Sequence, residues 1–96
     1  MFLSYEQVEA DATVKTIADL TIPTGANGAM LQADSSNIRY TMDDSNDPSQ
    51  TEGMILLTNL LPPETFLIQD MNRIRFTRGS GSNGQLNIHW WGGRVI

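Results

Sequence analysis

The chain has 96 residues, 40% of them hydrophobic, with no cysteine and a formal net charge of −5. That length holds one domain and one core, burying roughly two-thirds of the unfolded surface. The lack of cysteine excludes disulfides and thiolate metal sites, and no apolar run approaches the roughly 20 residues that span a bilayer.

Ser4-Tyr5-Glu6-Gln7 has the Ser-x-x-Gln form of a capping box. Glu6–Ala12 therefore reads as a short helix, or residues 1–11 as an extended arm. No basic stretch precedes a long apolar one at the start, so no secretory leader is expected. From Ala12 the composition turns β-branched, and Thr13–Ile17 and Asp19–Ile22 read as strands. Pro23–Gly28 is a loop, Ala29–Ala33 a short strand, and Asp34–Asn37 a turn whose side chains bond their own backbone. In Ile38–Met42 the apolar Ile38, Tyr40 and Met42 alternate with Arg39 and Thr41, the pattern of a half-buried strand.

Asp43–Gly53 is a polar loop. Met54–Leu57 is an apolar run, either strand or a single helical turn. Leu60-Leu61-Pro62-Pro63 cannot continue a central strand, because proline lacks the backbone donor. Thr65–Ile68 is again a strand, and Asp70-Met71-Asn72 turns the chain. Ile74 and Phe76 point inward, with Arg73, Arg75 and Thr77 outward. The glycine- and serine-rich Gly79–Gly84 reads as a hairpin tip joining Arg73–Arg78 to Gln85–Trp91. In the last strand Leu86, Ile88 and Trp90 share the inner face, while Asn87, His89 and Trp91 point away from the core. Seven or eight short strands punctuated about every ten residues predict an all-β, compact antiparallel β-sandwich, Greek-key or jelly-roll-like, with little helix. The expected organisation is an arm over 1–11, the sandwich over 12–92 and a tail over 93–96.

The charge is unevenly spread. All eleven acids lie between Glu6 and Asp70, whereas the segment after them carries only Arg73, Arg75, Arg78 and Arg94. Two outcomes are open: the basic strand pairs with acids of its own fold, or it forms a basic stripe that meets an acidic surface elsewhere. A free nucleic-acid partner is not expected of so acidic a chain, nor is a membrane partner.

The sequence carries few groups arranged for chemistry. The single histidine, His89, lies in no nucleophile or zinc motif. The Gly79–Gly84 loop leads into a strand and lacks the helix N-terminus that cradles phosphate. Asp43, Ser45 and Asp47 offer oxygens at alternating positions, but Pro48 and Met54 stand where a calcium-binding helix–loop–helix needs glycine and glutamate. No catalytic residue, metal or cofactor is expected, and the chain reads as non-enzymatic.

Ile38-Arg39-Tyr40-Thr41-Met42-Asp43-Asp44-Ser45-Asn46-Asp47-Pro48-Ser49 resembles the I-R-Y-T-x-D-G-S-x-P motif of chitobiase C-terminal-type immunoglobulin-like modules. It departs by Asp44 in place of glycine and by an extra residue before Pro48. A longer pattern resembles small structural proteins of tailed bacteriophages: Ile38-Arg39-Tyr40, a polar loop, Gly53–Leu57, Ile74–Arg78 before a glycine loop, and Leu86–Trp91 ending in aromatics. That resemblance implies a virion component, assembled in the host cytoplasm, of the capsid decoration or cement kind. Its implied partners are the major capsid or another virion protein and further copies of itself, a trimer among the forms. The contact residues expected are Phe2, Leu3 and Tyr5 at one end, Trp91, Arg94, Val95 and Ile96 at the other, and the basic stripe Arg73, Arg75 and Arg78. The alternative is a carbohydrate- or surface-binding module using Trp91 as a stacking platform beside Asp43, Asn46 and Asp47.

Overall fold

The computed structural model describes residues 1–58 and 63–93. The expected break at Leu60–Pro62 and the tail residues Arg94, Val95 and Ile96 lie outside the described residues.

Among the described residues eight strands form two antiparallel four-stranded sheets, as the alternation predicts. The first sheet, in the order β1-β8-β3-β6, comprises Phe2–Ala10, Gly84–Gly92, Ala26–Asp34 and Glu64–Leu67. The second, β2-β7-β4-β5, comprises Lys15–Thr16, Arg75–Arg78, Ile38–Thr41 and Met54–Leu56. Among the described residues helix is confined to a 3₁₀ turn at Ile17–Asp19 and one α-turn, α1, at Ile68–Met71.

The inner faces follow the period of two. Ala29, Leu31 and Ala33 of β3 and Leu86, Ile88 and Trp90 of β8 are buried against Ile38 and Tyr40 of β4, Leu56 of β5 and Phe76 of β7. Met71 and Ile74 close one side. Tyr40 and Phe66 meet edge to face across the core, with ring centroids 5.6 Å apart. Burial, and then the Glu64 carboxylate, push the Tyr40 phenol above its ordinary range.

The segment 1–11 is neither a helix nor a free arm. Residues 2–10 are β1, a nine-residue edge strand paired along β8 from Phe2↔Trp91 to Ala10↔Gly84. Glu6, Val8 and Ala10 alternate toward the core with Tyr5, Gln7 and Glu9 outward, so a strand satisfies these residues better than a helix, whose period scatters them. The sandwich thus runs from Phe2, and its first strand is held by its last.

A capping box does occur, one element later. Thr16 Oγ1 accepts from the Ala18 amide at 3.3 Å, and Asp19 Oδ2 accepts from the Thr16 amide at 2.9 Å. This closes the 3₁₀ turn and overrides the β-branched preference of Asp19–Ile22, which forms no strand.

The hairpin expected between Arg73–Arg78 and Gln85–Trp91 does not form. β7 pairs with β2 and β4, whereas β8 pairs with β1 and β3. Gly79–Gly84 therefore carries the chain from one sheet to the other, as Ser35–Asn37 does between β3 and β4. The two crossings lie on each other: Gly79 N donates to Asn37 O at 2.8 Å, and the Ser36 and Ser80 hydroxyls stand 2.9 Å apart. Alternation identifies which side of a strand is apolar. It cannot tell whether two apolar sides lie next to each other in one sheet or face each other across a core.

Candidate functional site

The registers arrange the outer face of the first sheet in rows across β1, β8, β3 and β6. The first row is Phe2, Trp91, Gly28 and Leu67; the second is Tyr5, His89, Met30 and Thr65. Gln7, Asn87 and Gln32 form the third, and Glu9, Gln85 and Asp34 the fourth. Within these rows the first three hold no Asp, Glu, Lys or Arg, in a chain in which 18% of residues are charged. Phe2, Tyr5 and Leu67 are more than half exposed, at 53%, 59% and 55%.

Both neighbours of β8 bulge at its far end, by Leu3 on one side and Asn27 on the other. The bulges fit the chain around Gly92: its amide donates to Met1 O at 2.8 Å, and Asn27 Nδ2 donates to Gly93 O at 3.0 Å. Trp91 points outward, as its strand parity requires, but it is half-buried and no free platform. Its indole covers Gly28, the position where a side chain is missing: a β-carbon there would overlap both the indole and the Phe66 carbonyl oxygen.

The exposed aromatic cluster sits one row on. Phe2 stacks on the His89 ring at 4.0 Å and 15°, while Tyr5 stands edge-on to the same ring at 6.3 Å and 88°. Tyr5 and His89, with Met30, Pro63 and the amides of Gln32 and Asn87, line a shallow depression of about 340 Å³. The Tyr5 hydroxyl and Gln7 Nε2 each donate to Asn87 Oδ1 at 2.8 Å. Since both donors come from β1, the Asn87 Nδ2 group faces β3, where Gln32 is its cross-strand partner. Parity alone places Asn87, His89 and Trp91 together; Tyr5, Gln7, Met30 and Gln32 join them only through registers that no local pattern announces.

The three arginines form no single stripe. Arg75 shares the outer side of β7 with Thr41 and Arg39 of the neighbouring strand, whereas Arg78 opposes the buried Ile38 and follows the side of Phe76. A separation of three residues puts two strand side chains on opposite faces. Arg75 is held inside the fold: Nη1 pairs with Asp47 at 2.6 Å, and Nη2 donates to Asp44 O at 2.9 Å. The Asp47 hydrogen bond, then the charges of Asp47, Asp44 and Asp43, raise the hold on its proton above the ordinary value. Arg78 Nη1 donates to Asn83 Oδ1 at 3.1 Å, and Arg73 is exposed beyond α1.

The acidic loop turns its oxygens inward. Asp43 accepts from the Ser45 and Asn46 amides at 3.1 and 3.0 Å and from Asn46 Nδ2, the pattern of an Asx turn. Asp44, standing where the immunoglobulin-like motif has glycine, takes φ 64°, in the left-handed region that glycine favours. The loop belongs to the second sheet, joining β4 to β5, so Asp43, Asn46 and Asp47 do not share a face with Trp91. The sugar site expected around these four residues is therefore not assembled.

The turn carries a pH dependence. The hydrogen bonds from Asn46, then Ser45, lower the Asp43 carboxyl from 3.8 to about 2. A carboxyl lowered by folding stabilises the folded form above its unfolded pKa and loses that contribution as pH falls through the folded one. Carbon-detected NMR titration is expected to show Asp43 changing near pH 2. Asn46→Ala removes the side-chain donor and keeps the backbone amide, so it should raise the midpoint only part of the way toward 3.8; an unchanged midpoint would refute the side-chain contribution.

Among the described residues no group of three His, Asp or Glu is placed to hold a metal ion, and no helix is long and apolar enough to cross a membrane. Compared with protein-family models, curated proteins and solved structures, the chain matches none.

Proposed function

We propose that this chain is a non-enzymatic structural protein of a bacteriophage virion, of the capsid decoration or cement kind, that binds and stabilises the head in many copies. The observation that carries the reading is where its resemblance falls. Ile38–Tyr40 opens β4, Gly53–Leu57 covers β5, Ile74–Arg78 covers β7 and Leu86–Trp91 fills β8, strands of both sheets. The likeness to the immunoglobulin-like motif is confined to β4 and the turn after it.

A second support is the apolar row of Phe2, Trp91 and Leu67 at the end where Met1 and Gly93 leave the sheet. The three uncharged rows cover on the order of 400 Å², taking ~4.8 Å between strands and ~6.8 Å between rows. That is about half of what each partner contributes to a stable interface. Such a contact is weak singly and strong in an array, where linked copies raise the effective concentration.

Removing residues 1–9 would strip a strand from the sheet, so point variants are the sound test. Light scattering of the intact chain is expected to show a defined oligomer, the trimer among its forms, that dissociates in Phe2→Ser/Leu67→Ser without loss of thermal stability. A strict monomer that also fails to co-sediment with the heads of its phage would overturn the reading.

A second reading, a carbohydrate- or surface-binding module, is favoured by one observation, the uncharged depression between Tyr5, His89 and the Gln32 and Asn87 amides. Both contacts fit on one molecule, the apolar row serving assembly and the depression a ligand.

A further inference from the structure

We infer that the depression on the first sheet is a binding site for a neutral saccharide, with Asn87 as its principal hydrogen-bond donor. The inference rests on the second reading of this face and is independent of a virion role.

Four observations carry it. The depression holds about 340 Å³, within the ~300–1,000 Å³ range of small-ligand sites. Its lining has no Asp, Glu, Lys or Arg: Tyr5, Met30, Gln32, Pro63, Asn87 and His89. A phosphate, a metal ion or an acidic peptide finds no opposite charge there, whereas a ligand made of hydroxyls needs none. The lining couples apolar surface, which the C–H face of a sugar ring covers, to planar amides that donate and accept in fixed directions. Finally, the apolar row of Phe2, Trp91 and Leu67 lies beside the depression and outside its lining, so the assembly contact does not account for it.

The orientation of Asn87 makes the site specific. Its Oδ1 accepts from both Tyr5 and Gln7 on the β1 side, which leaves the Nδ2 donors for the depression that Asn87 and its register partner Gln32 both line. Among the described residues neither Nδ2 nor the Gln32 amide has a hydrogen-bond partner within the chain. Asn87 thus presents donors and Gln32 presents both kinds of group, a pairing suited to adjacent sugar hydroxyls, each of which donates and accepts. Tyr5 and Gln7 act on the ligand through Asn87, as positioning residues, and the Tyr5 ring also walls the site.

The test is NMR titration of the labelled full-length chain with maltohexaose, cellohexaose and chitohexaose, with a sulfated heparin hexasaccharide as the charged comparator. At least one neutral sugar is expected to shift the side-chain amides of Asn87 and Gln32 and the Tyr5 and His89 rings, with a Kd of about 1 mM. Asn87→Asp keeps an acceptor for Tyr5 and Gln7 but replaces the Nδ2 donors with a carboxylate oxygen and its negative charge. It should keep the melting temperature and weaken binding about tenfold or more. Asn87→Ala removes the donors without adding charge and should weaken binding likewise. Tyr5→Phe should weaken it less, by releasing the amide. Leu67→Ser alone, which touches no lining residue of the depression, should weaken the oligomer while leaving sugar binding intact, which separates this site from the assembly contact. No shift with any neutral sugar, shifts only with the sulfated one, or full binding by Asn87→Asp would each overturn the inference.

Discussion

Trp90→Ala is expected to lower folding stability by about 3–5 kcal/mol, the range for truncating a fully buried aromatic. Among the described residues Trp90 is the largest side chain with no exposure, on the strand that pairs on both sides. Its neighbours in register are Ser4 and Ala29, too small to close the space left behind. The indole also does polar duty: Nε1 donates to Glu6 Oε2 at 3.3 Å, and the same carboxylate accepts from the Thr21 amide at 3.0 Å. Truncation therefore opens a cavity and strips a partner from a half-buried carboxylate that ties β1 to the segment after the 3₁₀ turn. Against a total of about 5–14 kcal/mol for a domain of this length, that loss removes from about a fifth to nearly all of the stability. Urea unfolding followed by the fluorescence of the remaining Trp91 measures it. Trp90→Phe keeps most of the volume and isolates the hydrogen bond, so a much smaller loss is expected. A Trp90→Ala protein within 1 kcal/mol of the parent would refute the core assignment.

Gly28→Ala is expected to cost about 3 kcal/mol for the addition of one methyl group, at the upper end of ordinary overpacking. The added carbon would overlap the Phe66 carbonyl oxygen, which is backbone, as well as the Trp91 indole. Gly28 pairs with Leu67 at one end of the four-residue β3–β6 ladder, so separation there loosens the outer strand of the sheet. Gly28 also lies below Trp91 in the first row, so the indole must swing outward and its emission should shift to the red. Trp91→Ala in the same chain removes only the side-chain half of the clash. Partial recovery, short of additivity, is the expected result in a double-variant cycle. Full stability in Gly28→Ala alone would show that the two strands are farther apart than the register requires.

Both effects bear on the outer face. Trp90 anchors β8 from within, and Gly28 sets how closely Trp91 lies on β3. The aromatic row and the amide row keep their spacing only while those two positions hold.

How much of this was legible beforehand can be judged strand by strand. Alternation in Ile38–Met42 and in Leu86–Trp91 identified which side chains are buried, because a strand has a period of two and one apolar side. The outward direction of Asn87, His89 and Trp91 follows from the same parity. In residues 1–11 the acids and Gln7 mask a weak alternation, and β1 becomes recognisable only beside β8. The Thr16–Asp19 capping box was present to be read, but β-branched neighbours argued for extension. The arginine stripe failed on parity, which a count from Arg75 to Arg78 already contradicts.

What the amino-acid sequence determines by itself is local: an all-β chain without disulfides, its inward and outward residues, its turns and its uneven charge. These depend on nearest neighbours and on the period of two. Which strands pair, and whether two apolar sides lie side by side or across the core, depends on contacts between residues as far apart as Phe2 and Trp91. Those registers bring Tyr5 and Gln7 onto Asn87 and turn its amide toward Gln32. Only the tertiary structure decides them, because backbone pairing is the same for every strand and the choice falls to the packing of the whole core.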